Sequence, residues 1–448
     1  MKSARTIRII LTAVLLLILL AGYGVWLVME PPQYWETYIF VSLLFLLFSA
    51  AIIRFIPYLM AYMITGSEPH LDRIGERTYR RCGMRELAKI TLLILILRLL
   101  HVLLTYLIHL GLFGYTETFF KVQRLWLNFY HAKFCFPAYP ILSNLFWFVS
   151  FNFNHARFIS SYLSTALAGA ALYYWVLVDF DRPTARHALL FFFLMPASCL
   201  LLGTLPDGVF LLFSILSLMF MRKRRFILSN LFAMLAVMTH ILGALLFVPC
   251  IIEFSEMLIG DAKSHQEEKH GYLLQQIASA LSFLLVPLGF AVVLAYSRYL
   301  FGDTTAIFRS FMDAYGYHPA SPLTSVAGLM NRFLEAFHTS TGNAFWAEMG
   351  DTIPNLLYVF LGAVLLVLAP GRIRTSYIAY MLVTYFAVLS TGVLLEIPRL
   401  LSVCSPFVLT LTLTVKKRWV QRILYFVCFA GFLLYLTAVV GGYTVYGK

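Results

Sequence analysis

The stretch ITLLILILRLLHVLLTYLIHLGL, residues 90–112, decides the fold class. Its 23 residues hold a single arginine, Arg98, and two histidines, His101 and His109, among apolar neighbours. About 20 such residues in a helix cross the ~30 Å hydrocarbon layer of a bilayer. Further runs of that length fall at 8–29, 38–64, 158–178, 278–300, 353–370, 377–396 and 423–441. Shorter ones at 188–203, 209–221, 226–239, 241–254 and 400–415 are separated by small polar breaks. The reading is an all-α, polytopic transmembrane protein of about 13 spans.

Composition agrees. Of 448 residues, 61% are hydrophobic and 12% charged, against about 25% charged in soluble domains. A soluble core of this size needs more polar surface than the chain supplies. The formal charge of +13 lies in short clusters between apolar runs, where Lys and Arg act as topology signals, so a nucleic-acid partner is not expected. The six cysteines form no CxxC pair and sit mostly in apolar runs, so no metal site is expected.

With the N-terminus in the cytoplasm, the inner segments carry 23 of the 34 Lys and Arg residues and the outer ones eight. That bias supports a cytoplasmic N-terminus and, with 13 spans, an external C-terminus. The first run follows Lys2, Arg5 and Arg8 but is too long for a signal peptide and reads as a retained span. No Asn-x-Ser/Thr sequon occurs, which favours a bacterial cell membrane. Residues 1–89, with the basic loop 66–89, read as a two-span appendage, and residues 90–448 as the main domain. Two long outer segments, 113–157 and 301–352, are expected to form juxtamembrane helices, the amphipathic stretch Leu329–Phe337 among them.

Charged groups at a membrane edge are costly to keep there, so each is a candidate for function. Five places on the outer side qualify. Glu117 follows the third span and could take a proton from an acceptor hydroxyl. The segment Phe134-Cys135-Phe136-Pro137-Ala138-Tyr139-Pro140 sits beyond the cations Lys121 and Arg124. Pro196-Ala197-Ser198 precedes Leu205-Pro206-Asp207-Gly208, a turn presenting one acid. Thr239-His240 and Pro398-Arg399 supply a histidine and an arginine, both competent to meet a phosphate.

In their order and spacing these segments resemble the PIG-V-type mannosyltransferases, the GPI mannosyltransferase 2 family and its bacterial homologues, within the GT-C glycosyltransferases. The likeness covers residues 90–448. Phe136-Pro137-Ala138-Tyr139-Pro140 is similar to the family's Phe-Phe-Pro-Leu-Tyr-Pro, and Pro196-Ala197-Ser198 with Asp207 to its Pro-Ala-Ser and following acid. Met238-Thr239-His240 resembles its Leu-Thr-Arg, Pro398-Arg399-Leu400-Leu401 its Pro-Arg-Tyr-Leu, and Gly442-Tyr443 its closing Gly-Tyr. The family's Trp-Asp pair is absent, Thr116-Glu117 being the counterpart, and His240 stands where the family has Arg.

The resemblance implies transfer of a sugar, mannose in the family, from a polyprenyl-phosphate donor to an acceptor on the outer face, with inversion; no metal-ligand cluster is visible in the sequence, so no metal or other cofactor is expected. It casts Glu117 and Asp207 as catalytic, His240 and Arg399 as donor-phosphate contacts, and Tyr139, Lys121 and Arg124 as site-lining. The altered Trp-Asp region leaves a second reading open: a catalytically inactive GT-C-fold protein that binds a lipid-linked sugar or assists a partner membrane transferase. A transporter is the third. It is disfavoured because no internal repeat is visible and the charges read as confined to one edge.

Overall fold

A computed structural model describes residues 2–65, 83–113, 136–202, 205–263 and 270–441, and every regular element longer than an isolated bridge among them is helical. Among the described residues, eight helices are long and apolar enough to cross a membrane, and shorter apolar helices occupy Phe226–Val237, Thr375–Leu389 and Ser405–Thr414. The protein is an all-helical integral membrane protein.

The chain opens with α1 (Lys2–Met29), α2 (Trp35–Thr65) and α3 (Met84–Phe113). Next come α4 (Ala138–Ser150), α5 (Phe153–Asp179), α6 (Arg182–Leu194), α7 (Asp207–Arg222) and α8 (Phe226–Val237). Then follow α9 (Phe247–Lys263), α10 (His270–Ser282), α11 (Leu285–Phe301), α12 (Ala306–Tyr315) and α13 (Pro322–Thr339). The last five are α14 (Gly342–Leu368), α15 (Thr375–Leu389), α16 (Ile397–Ser402), α17 (Ser405–Thr414) and α18 (Arg418–Val440).

Several apolar runs prove to be interrupted, and the breaks have local causes. The run 188–203 stops as an α-helix at Leu194, because Pro196 cannot donate the next helical hydrogen bond, and continues as a 3₁₀ turn over Pro196–Leu202. The run 400–415 divides at Val403-Cys404, ahead of Pro406. The run 377–396 was expected to cross as one piece, yet α15 ends at Leu389 and the chain turns through Gly392 at φ +76°. That turn places Glu396 in a connection rather than in a helix.

α5 sits at the centre, packed against α3, α4, α6 and α7, and 67% of its span is buried, against 6% for the span in α1. α2 belongs to the same core, contributing Val41, Leu44, Ala51 and Phe55. Its Thr37 donates to Asn331 Oδ1 of α13 at 2.6 Å, and its Tyr62 donates to Glu256 Oε2 of α9 at 2.9 Å. α13 carries the amphipathic stretch read from the sequence. Ser321 caps it, accepting from Thr324 N–H at 3.1 Å, and its apolar face packs on α2, α14 and α15.

Candidate functional site

α7 carries a charge at each end, Asp207 as its first residue and Arg222 as its last. Fifteen residues of helical rise separate them by about 22 Å. Each lies in a polar cluster, and apolar packing fills the space between.

The Asp207 cluster is assembled from segments far apart in sequence. A carboxylate at a helix N-terminus is favoured by the helix dipole, and Asp207 is 1% exposed there. Gly208 lets that end approach α5. A Cβ at this position would lie 2.9 Å from the Ser161 carbonyl oxygen and closer still to Thr165 Oγ1. Arg399 of α16 donates from Nε to Asp207 Oδ2 at 2.7 Å and from Nη1 to Glu396 Oε1 at 2.8 Å. Tyr317 Oη reaches Glu396 Oε2 at 3.5 Å. Two buried carboxylates therefore share one buried guanidinium. Breaking such a pair is costly because a lone charge is left out of water.

The turn that presents Glu396 and Arg399 is held from α13 and α14. Ile397 N–H donates to Asn355 Oδ1 at 2.9 Å, and Asn355 Nδ2 donates to the carbonyls of Asp351 and Leu395 at 2.7 and 3.2 Å. Arg332 Nη2 donates to the Leu394 carbonyl at 3.3 Å, while Nη1 lies 3.7 Å from Asp351 Oδ2. With its amide fully engaged, Asn355 fixes the approach of α16.

His240 lies in the break between α8 and a 3₁₀ turn, Ile241–Leu246. Its Nδ1 accepts from Leu242 N–H at 3.2 Å, which puts the proton on Nε2. Burial first, and the Arg399 cation second, push its pKa down to about 3, so the ring is neutral. Its ring lies 6.5 Å from that of Phe136 and 5.4 Å from that of Phe210. Gly243 allows the 3₁₀ turn to fold back, since a Cβ there would sit 2.7 Å from the Ala236 carbonyl oxygen and closer to the Val237 nitrogen. Phe136–Tyr139 docks on this break, Ala138 N–H donating to the Met238 carbonyl at 2.9 Å. Tyr139 packs with Leu205 and Val209, on either side of Asp207 in sequence, and its hydroxyl donates to the Arg157 carbonyl at 3.4 Å.

Four of the segments singled out in the sequence thus converge: 136–139, 205–208, 238–243 and 398–399. Asp207 and Arg399 touch, and His240 is their neighbour. Glu117, Lys121, Arg124 and Gly442-Tyr443 lie outside the described residues. Arg399 was expected as a phosphate contact, and here its guanidinium is engaged by two carboxylates. Glu396 was overlooked because it closes an apolar run. Its spacing three residues before Arg399 was the available signal, as residues so placed on a helix are neighbours.

The opposite end of α7 holds a second buried cluster. Arg222 Nε donates to Asp179 Oδ1 at 2.6 Å, Tyr377 Oη to Asp179 Oδ2 at 3.2 Å, and Trp175 Nε1 to Tyr377 Oη at 3.0 Å. Arg374, 1% exposed, donates from Nε to Glu253 Oε1 at 2.9 Å and from Nη2 to Glu256 Oε2 at 3.2 Å. Ser376 adds a hydrogen bond to Glu253 Oε1 at 2.7 Å. This corrects the expectation that the costly charges sit at one edge only. Asp179 ends one apolar run and Glu253 lies inside another, so pattern alone gave no reason to single them out.

Comparison with known proteins yields no match: no family model, curated protein or solved structure corresponds to this chain.

Proposed function

We propose that the protein is a GT-C-like membrane glycosyltransferase of about 13 spans, moving a sugar, mannose by the resemblance, from a polyprenyl-phosphate donor to an acceptor on the outer face of a bacterial membrane. The observation that carries this reading is the junction of Asp207, Arg399 and His240, which come from three of the segments the resemblance assigns to the site. Thirteen passes are reached when the eight long helices are joined by α6 with its 3₁₀ extension, α7, α8, α15 and α16–α17. The Asp207 end then faces outward, and the Arg222 end lies in the cytoplasm with most of the lysines and arginines.

In the reaction, the acceptor oxygen forms a bond to the anomeric carbon as the bond from that carbon to the phosphate oxygen breaks. Polyprenyl phosphate leaves with the electron pair, and Glu117 takes the acceptor proton. Asp207 and Glu396 accept hydrogen bonds from sugar hydroxyls, a role that suits carboxylates better than holding phosphate does. Arg399, oriented by both, lends positive charge near the leaving group. Neutral His240 donates from Nε2.

The test is incubation of the purified chain with labelled polyprenyl-phosphate mannose and a membrane lipid extract. Wild type should transfer label and Glu117→Gln should lose roughly 10²–10⁴-fold, the ordinary contribution of a general base. Equal transfer by E117Q would remove Glu117 from the chemistry. One observation favours the second reading, a non-catalytic binder or partner subunit: Arg399 is already saturated by acids, as a structural pair would be. Donor binding without transfer by wild type would decide for it.

A further inference from the structure

A groove of about 480 Å³ runs between α3, α5 and α6, and no residue of the Asp207 cluster lines it. Its walls include Leu93, Leu97 and Leu190, and near the starts of α3 and α6 it is lined by Glu86, Lys89 and Arg186. Farther along α3 the lining reaches His101, whose ring lies 4.8 Å from that of Phe432. From Lys89 to His101 the helical rise is about 18 Å, somewhat more than half the ~30 Å hydrocarbon layer. Leu93 is 57% exposed and Leu190 46% exposed, so the groove opens sideways from a span-length helix into hydrocarbon rather than into water.

The charge at its mouth has a definite sign. Glu86 is neutralised within the protein, accepting from Arg182 Nη2 at 2.8 Å and from Tyr173 Oη at 2.7 Å. Lys89 and Arg186 are exposed, and neither has an ion-pair partner among the described residues. An apolar channel one leaflet deep, ending in two unopposed cations, has the shape and charge of a lipid with an anionic headgroup. We propose that this groove binds one anionic glycerophospholipid, its phosphate between Lys89 and Arg186 and one acyl chain along Leu93, Leu97 and Leu190. The site stands apart from the proposed transferase centre and survives or fails separately from it.

The test is native mass spectrometry of the full chain released from detergent, titrated with dioleoyl phosphatidylglycerol, dioleoyl phosphatidylcholine or undecaprenyl phosphate. One phosphatidylglycerol per chain should be retained in preference to phosphatidylcholine, and Lys89→Gln with Arg186→Gln should weaken that retention by about thirtyfold. Leu190→Trp, which fills the groove and leaves its charges alone, should also displace the lipid. Equal retention of phosphatidylcholine, or unchanged retention in both variants, would overturn the proposal. Undecaprenyl phosphate displacing phosphatidylglycerol at equal concentration would overturn it as well, assigning the groove to a prenyl chain.

Discussion

The two ends of α7 offer a contrast within a single helix. At the Arg222 end, two arginines and three acids are closed in by Trp175, Tyr377, Ser376 and Tyr62, every one a side chain of the helical bundle. At the Asp207 end the acids and the arginine sit on helix termini and turns: the start of α7, the connection before α16 and the break after α8. Charges stand at helix ends in both clusters, Asp179, Arg222 and Arg374 in one and Asp207 and Arg399 in the other, but only the Arg222 cluster has acids on a helix interior, Glu253 and Glu256 of α9, where the packing of the bundle fixes them. The first arrangement suits a staple. The second suits a site, since binding and catalytic residues concentrate on connections held by a rigid scaffold.

The largest expected effect lies at the staple. Arg374→Met leaves Glu253 and Glu256 buried without their cation and should destabilise the protein by roughly 3–5 kcal/mol. A thermal melt in detergent would register it, and adding Glu253→Gln and Glu256→Gln should restore most of the loss. A small shift from R374M alone would mean that water already reaches this cluster and that the contrast is weaker than drawn. Gly208→Ala comes next. Its Cβ would collide with Thr165 and the Ser161 carbonyl oxygen, costing about 1–3 kcal/mol by overpacking and tilting Asp207 away from Arg399. Paired with Thr165→Ala, which removes the closest obstacle, it should regain part of that stability in the same melt.

The smallest effect concerns pH. The folded-state pKa of His240 is depressed to about 3 from 6.5. As pH falls the unfolded chain therefore binds this proton before the folded one does. His240's contribution to stability is complete above pH 6.5 and is lost progressively as pH drops toward about 3. Detergent melts of His240→Gln against wild type should show a shallower acid limb in the variant. Parallel limbs would mean that the imidazole is reached by solvent.

The fold class was legible because a bilayer demands long apolar runs: 158–178 reappears within α5, and 423–441 matches α18 but for its last residue. The interruptions were less legible. In the run 377–396 the one mark is Ser390-Thr391-Gly392, a short polar break with Val393, Leu394 and Leu395 beyond it, and α15 stops at Leu389 just ahead of that break. At the site, Pro206-Asp207-Gly208 and Pro398-Arg399 announced themselves through proline and charge, while their mutual contact spans 192 residues of sequence and no local pattern encodes it. Glu253, Glu256 and Arg374 are illegible for a related reason: Glu253 looks like a stray polar residue inside a span, and Glu256 and Arg374 like the fringe of one, until the bundle brings them together.

The most direct test compares matched amide substitutions at the two clusters in the labelled mannose-transfer assay. Asp207→Asn preserves size and hydrogen bonding, so it should lower transfer by about 10²-fold through misplacement of the bound sugar, with the protein still folded. Glu253→Gln should leave transfer near the wild-type rate while lowering the melting temperature. Wild-type transfer that D207N leaves intact, or that E253Q reduces just as much, would contradict the division of labour between the two ends of α7.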